Sequence, residues 1–244
     1  NTLTNGVATP SDIAALEASI GSGETSSGYL FVGAPQDDTD PMNDHGSVYA
    51  WTAESNYTQS IKLTAPVPTQ YNRFGESIGF GGGRLAVLAT GNDTVYLYDD
   101  ISGTPVELSV PTSVSHVAIG DTHVAVGGYG PFAYLWELDN IAAGYTQIQS
   151  PNHTDNGFYF GASTDGPGIA IDGNTMAIGQ RDIKTLWIYD LDNMSSAPTA
   201  VTRGENSFPS GVYASGDTIY AKTTESNGSI HAYNEAGSFQ STFT

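Results

Sequence analysis

The chain has 244 residues, no cysteine, 29 glycines and only 14% charged residues, with 26 Asp+Glu against 7 Lys+Arg and a formal net charge of −19. Without cysteine there is no thiol chemistry and no disulfide from which to read a redox compartment; a phosphate backbone would be repelled rather than steered, which disfavours nucleic acid as a partner. No apolar run approaches the ~18 residues of a membrane span, so membrane insertion is not expected.

The length suits one large all-β domain, and abundant glycine with few charges fits short strands joined by tight turns. Such acidity fits a salty or cation-rich medium, where screening weakens self-repulsion and divalent ions bridge carboxylates; a soluble surface with no partner implied is the plainer alternative. The start at Asn1, with no basic, apolar leader, leads us to expect a piece of something larger.

Residues 1–15 are expected to be a linker or a ring-closing strand. Ser11-Asp12 resembles a helix cap before the apolar residues 13–16. Against that, Leu16-Glu17-Ala18-Ser19-Ile20-Gly21 aligns with Phe74-Gly75-Glu76-Ser77-Ile78-Gly79, with Phe160-Gly161-Ala162-Ser163 and with Phe208-Pro209-Ser210-Gly211. Repeat registration outweighs a one-turn cap, so residues 16–21 are read as a strand.

From residue 30 a pair of strands occurs five times. Leu30-Phe31-Val32-Gly33-Ala34-Pro35 precedes Gly46-Ser47-Val48-Tyr49-Ala50-Trp51, and the pair returns at 85–90 with 95–99, 124–129 with 133–137, 176–181 with 186–190, and 219–224 with 230–234. Apolar residues at every second position with polar turns between them read as adjacent antiparallel strands. One column of the second member is aromatic in every copy: Trp51, Tyr98, Trp136, Tyr189 and Tyr233. Its members lie 47, 38, 53 and 44 residues apart, close to the ~40–50-residue period of propeller blades.

Because side chains alternate faces, the aliphatic and aromatic columns face opposite ways and each sheet needs cover on both sides. Radial stacking supplies that cover, whereas a two-layer sandwich does not. The fold class expected is all-β, a five-bladed β-propeller of four-stranded antiparallel blades, forming a single domain over 16–244.

Gly120-Asp121-Thr122, Asp172-Gly173-Asn174 and Gly216-Asp217-Thr218 are hairpin turns between first and second strands. Outer strands are expected at 61–64, 106–110, 146–149, 198–202 and 239–243, with Pro66, Pro111 and Pro151 at exits where a missing donor costs little.

Asp37, Asp38, Asp40, Asn43 and Asp44 gather four carboxylates and an amide in eight residues, enough hard oxygen ligands for Ca²⁺. A solvated acidic loop is the alternative. The histidines His45, His116, His123, His153 and His231 form no short-spaced metal pair, and His231 occupies a column otherwise held by Tyr and Trp, so packing or surface roles are expected of them rather than zinc. Gly75-Glu76-Ser77-Ile78-Gly79 matches a nucleophile elbow by chance, since it sits in a repeated strand rather than a strand-to-helix turn. A propeller glycosidase needs an axial acid pair, and only Glu17 and Glu76 offer one.

Phe74-Gly75 and Phe160-Gly161, with Val32-Gly33-Ala34-Pro35 and Gly46-Ser47-Val48-Tyr49, resemble the FG-GAP repeat of integrin-α-like β-propellers. Thr90, Tyr129, Arg181 and Thr224 stand where that family has proline. The resemblance implies the propeller and a calcium loop in the first hairpin of a blade; here those hairpins are short and the acidic run lies between second and third strands. In overall character the chain is similar to the receptor-binding heads of vertex spikes of marine, membrane-containing, tailless bacteriophages.

The expected function is therefore a non-catalytic, calcium-stabilised module on a virion or extracellular surface. It would bind a host-cell receptor, protein or glycan, alongside other subunits of a spike or surface assembly. A lectin-type propeller is the alternative, and a glycoside hydrolase a further one. Ligand contacts are expected from loops at one end of the blades, through Tyr71, Arg73, Tyr129, Phe132, His153, Tyr159 and Arg181.

Overall fold

The computed structural model describes residues 28–37, 44–52, 60–111, 113–152, 159–162, 167–205, 207–224 and 228–244. The chain divides into two compact units, Asn1–Gly75 and Glu76–Thr244. Among the described residues no helix is long and apolar enough to cross a membrane.

In the first unit, β1 (Tyr29–Ala34), β2 (Ser47–Thr52) and β3 (Ser60–Leu63) form one antiparallel sheet in that order. Alternation sets Tyr49 and Trp51 on one face, stacked at 6.1 Å, where Trp51 joins Leu30 in a small core backed by Val32. The strand expected at 16–21 lies outside the described residues.

Four further sheets each run as an antiparallel meander. One contains β4 (Phe74–Gly81), whose first two residues belong to the first unit, then β5 (Arg84–Ala89), β6 (Thr94–Tyr98) and β7 (Val106–Ser109). The next contains β8 (Val114–Ile119), β9 (His123–Gly128), β10 (Phe132–Glu137) and β11 (Thr146–Gln149). Then come β12 (Ile169–Asp172), β13 (Thr175–Gln180), β14 (Thr185–Asp190) and β15 (Thr199–Thr202), and last β16 (Gly211–Ser215), β17 (Thr218–Thr223), β18 (Ser229–Asn234) and β19 (Phe239–Phe243).

Within the second unit the two apolar faces meet as the sequence columns require. Ala86, Leu88, Val95 and Leu97 from the β5–β6 pair cluster with Tyr134 and Trp136 of the following sheet. Ala125, Ala133 and Leu135 cluster with Trp187 and Tyr189, and Ala177, Leu186 and Ile188 with Phe208 and Tyr233. In these clusters each aliphatic face rests on the aromatic face of the next sheet, which is why β14 is buried on both sides along nearly its whole length.

Glycine sets how closely successive sheets approach. A Cβ on Gly127 of β9 would lie 2.7 Å from the Gly161 Cα and 3.0 Å from the Phe160 carbonyl oxygen. One on Gly179 of β13 would meet Pro209 Cγ at 2.9 Å, and one on Gly33 of β1 would run into the Gly75 carbonyl.

The fourth sheet corrects one expectation. Phe160-Gly161 does not open its first strand but forms isolated bridges to Gln180 and Gly128, and β12 begins only at Ile169. Gly161 has φ +84°, and Gly168 packs on the Gly161 carbonyl with no room for a side chain.

Gly127→Ala is expected to lower unfolding free energy by about 1–3 kcal/mol through overpacking against backbone. Gly204→Ala, where a Cβ meets nothing within 4 Å, should stay within about 0.5 kcal/mol of the parent. Urea denaturation of both variants provides the comparison.

Candidate binding surface

In the second unit the turn after β9 is laced to the segment before β12 and to the end of β13. Gly128 N donates to the Phe160 carbonyl at 3.1 Å, Phe160 N donates to that of Gly130 at 3.2 Å, and Gly161 N donates to that of Gly179 at 2.9 Å. These bonds bring together two tyrosines thirty residues apart in sequence. Tyr129 is 54% and Tyr159 37% exposed, and their rings meet edge to face at 5.7 Å, a favoured aromatic geometry. An isolated antiparallel bridge sets Phe160, the residue after Tyr159, opposite Gln180, the residue before Arg181.

Beneath this corner lies a buried polar network that the sequence reading missed. Gln180 Oε1 accepts from Ser150 Oγ at 2.6 Å and from the Trp187 indole N–H at 3.0 Å. An indole can only donate, which fixes the orientation of the amide. Gln180 Nε2 then has no acceptor among the described residues. Of the other expected contact residues, Phe132 opens β10 opposite Gln149 and packs against the β8–β10 core, so it supports the turn from within. His153 lies outside the described residues.

Tyr71 and Arg73 belong to the first unit. Tyr71 is exposed, with φ +61°, and Arg73 has φ +54°. Arg73 precedes Phe74-Gly75 as Tyr159 precedes Phe160-Gly161, and both glycines also have positive φ. The left-handed backbone at Arg73 and Tyr159 therefore belongs to the repeated Phe-Gly turn and is not a mark of ligand strain.

Of the expected metal ligands, Asp38, Asp40 and Asn43 lie outside the described residues. Asp37 Oδ2 accepts from Tyr49 Oη at 2.7 Å and pairs with Lys62 Nζ at 2.9 Å. Burial alone would raise the Asp37 pKa, but hydrogen bonds from Lys62 and Tyr49 prevail and hold it below the ordinary range. Asp44 gives its carbonyl to Arg73 N. Asn72, missed in the sequence, is 1% exposed, and neither side-chain amide atom has a partner among the described residues. Among those residues no group of three or more His, Asp or Glu is placed to hold a metal.

A second cluster missed in the sequence sits on the connection between β15 and β16. Glu205 accepts three hydrogen bonds of 2.8–3.0 Å from the Arg203 guanidinium. Arg203 also donates to Tyr233 Oη at 3.2 Å and lies over the rings of Phe208 and Phe239. The pairing with Arg203 pulls Glu205 down to about 2, and Glu205 in turn holds the guanidinium charged. His231 is buried beside them, its Nδ1 sharing a hydrogen bond with Thr242 Oγ1; burial and then the Arg203 charge lower its pKa. A cavity of about 470 Å³ is lined by Thr202, Arg203, Gly204 and Glu205, but with the guanidinium engaged on every side the cluster acts as a clamp.

No family model matches the chain, and no curated protein matches its sequence. Solved structures match its fold. A chain of the mitotic checkpoint complex aligns with 88% of this chain and 67% of its own length, at 18% identity and a TM-score of 0.61. Hsv2 of Kluyvelomyces marxianus aligns with 81% of this chain at 12% identity and a TM-score of 0.53, and Sqt1 of Saccharomyces cerevisiae with 88% at 13% and 0.57. These are WD40-type β-propellers. The fold is a five-bladed β-propeller.

The chain spans 58% of the length of the Hsv2 structure and 57% of that of Sqt1. At such identities the likeness fixes the fold alone. In propeller terms the Tyr129–Tyr159 corner lies between the third and fourth blades, and the Arg203 clamp joins the fourth to the fifth.

A carboxylate with a depressed pKa contributes stability that is present above its unfolded value and lost as pH falls through its folded one. The Arg203–Glu205 pair should therefore weaken between pH 4.5 and about 2. Glu205→Gln is expected to lower the urea midpoint at pH 7 and to flatten the acid limb of the stability profile across that window. An unchanged acid limb would remove the clamp.

Proposed function

We propose that the chain is a non-catalytic attachment module that binds a host-cell surface receptor, displayed on a virion or other extracellular surface and carried by a larger spike or surface assembly. The observation that carries this reading is the Tyr129–Tyr159 pair, two large exposed rings brought together by backbone hydrogen bonds. Aromatic and Arg side chains on loops fixed by a scaffold are the usual makers of binding contacts. The coarser statement, a propeller serving as a binding module, has support from its neighbours, one of which is a component of a mitotic checkpoint complex. The adhesive, extracellular setting has support from the resemblance to FG-GAP propellers and from the net charge of −19, which suits a salty medium.

Calcium is the second part of the proposal. Its support is the carboxylate-rich stretch 37–44 together with the buried side-chain oxygen of Asn72, orphaned among the described residues next to Arg73, whose amide bonds to Asp44. A hard oxygen such as that of Asn72, beside carboxylates, suits Ca²⁺. Asp37 does not fit, because Lys62 and Tyr49 already occupy its Oδ2. Asp44 and Asn72 are the described residues that would contribute to such a site, with Asp38, Asp40 and Asn43 as the remaining candidates.

Attachment of the purified chain to host cells, measured in calcium and in chelator with melting curves alongside, tests both parts. The Tyr129→Ala/Tyr159→Ala variant should melt with the parent and bind about tenfold or more weakly. Chelator should lower the melting temperature. Full attachment by the double variant would remove this corner from the binding face, and an unmoved melting point would remove a structural calcium.

A further inference from the structure

Resting on the attachment reading above for its consequence, we propose that His116 is an acid-sensitive latch on the joint between the third and fourth blades. Neutral, it ties the Phe160-Gly161 segment to β8, the first strand of the third blade, and so holds Tyr159 against Tyr129; protonated, it releases that segment, and attachment weakens with it.

The backbone aims the imidazole at the joint. In the β8–β9 pair Val117 lies opposite Val126 and His116 opposite Gly127, but Val114 already lies opposite Gly128, so Ser115 is the extra residue of a bulge. Bulges re-aim side chains, and this one keeps His116 in step with Gly127. Directly opposed residues of an antiparallel pair present their side chains to one face. A Cβ on Gly127 would lie 2.7 Å from the Gly161 Cα, so that face is the one on which Phe160-Gly161 rests. The His116 ring reaches it: Nδ1 shares a hydrogen bond of 3.0 Å with Ser115 Oγ, and the ring also bonds to the Gly161 backbone. A bond that favours the charged ring is one to a carbonyl, so Nε2–H donates to Gly161 while Nδ1 accepts from the serine. The segment thereby gains a side-chain tie beside the bonds of Phe160 N to Gly130 and Gly161 N to Gly179.

An imidazolium here would be short of compensation. The titratable groups on the elements around β8 are Glu76 on β4, Arg84 on β5, His123 on β9 and Asp172 on β12, with Asp93 accepting from Val114 N at 3.4 Å and Tyr129, Tyr159 and Arg181 at the corner. Arg84, His123 and Asp172 stand at the hairpin end of their strands, away from His116. Among the described residues none supplies a charge to the ring: burial lowers the His116 pKa, and the Gly161 carbonyl works against it. The closed joint therefore binds fewer protons than an opened one in which the ring is hydrated. Its advantage is complete above the ordinary histidine value of 6.5 and is lost as pH falls below that toward the folded value.

The joint and attachment are read separately on the whole chain. Amide exchange, corrected for the intrinsic effect of pH, should show protection at Phe160 and Gly161 falling between about pH 7 and pH 5, with the hairpin at 172–175 unchanged. His116→Gln, which can donate to the Gly161 carbonyl and accept from Ser115 without titrating, should keep that protection throughout. Attachment to host cells should weaken several-fold over the same range in the parent and hold in His116→Gln. Protection that persists in acid, or is lost alike in both proteins, overturns the latch and leaves the attachment reading standing. Protection lost in the parent with attachment undiminished takes the corner out of the binding face, so that both fall. Should the variant not fold, NMR titration of the imidazoles in the parent decides: a His116 pKa below the ordinary value is expected, and one at or above it removes the latch.

Discussion

The contact on which the structure of the second unit turns is backbone against backbone between the third and fourth blades. Gly127 can lie on Gly161 only because neither carries a side chain, and one blade on Gly179 makes room for the side chains of Pro209 and Val212. The equivalent residue of the second blade is Leu88, and there the next blade opens with Ser113-Val114 rather than Phe-Gly or Phe-Pro; Leu88 and Val114 share one core cluster. Glycine thus stands where the following blade comes too close for a side chain, and leucine where there is room for it to pack beside Val114. This close approach is what permits the hydrogen bonds of Gly128, Phe160 and Gly161, and hence the meeting of Tyr129 and Tyr159.

Apolar burial and these joints do different work. Aliphatic faces on aromatic faces supply most of the driving force for stacking, but such contacts are non-directional and tolerate sliding. The glycine joints and the Arg203 clamp are directional. Arg203 ties the connection after β15 to Tyr233 and to two phenylalanine rings, while Glu205 keeps its charge compensated. A surface loop held by such contacts keeps a fixed geometry, as a recognition surface requires.

Strands and their columns were legible in the sequence because a half-buried strand repeats every second residue, and five aromatic residues from Trp51 to Tyr233 kept the register visible. The first strand of the fourth blade was not, because Phe160-Gly161 repeats the motif of Phe74-Gly75 and yet the strand begins only at Ile169. Tyr129, Tyr159 and Arg181 could be picked out as loop residues at one end of the blades. That Tyr129 and Tyr159 meet depends on hydrogen bonds between blades, which no local pattern encodes. Phe132 has the same composition signal as Tyr129, and only its place in β10 turns it inward. The commitment of Asp37 was readable in principle, since Tyr49 lies directly opposite Lys62 in the β2–β3 pair and both reach the same carboxylate. Asn72 and Gln180 carried no signal, because an orphaned amide is a property of the packed interior.

Hydrogen–deuterium exchange of the chain, free and bound to its target cells' surface material, tests the central claim most directly: that binding occurs at the joint between the third and fourth blades. The account predicts slowed exchange at 128–131, 159–162 and 179–184, with the hairpins at 120–123, 172–175 and 216–218 unaffected. Protection of those hairpins, with the corner exchanging as in the free chain, would contradict it.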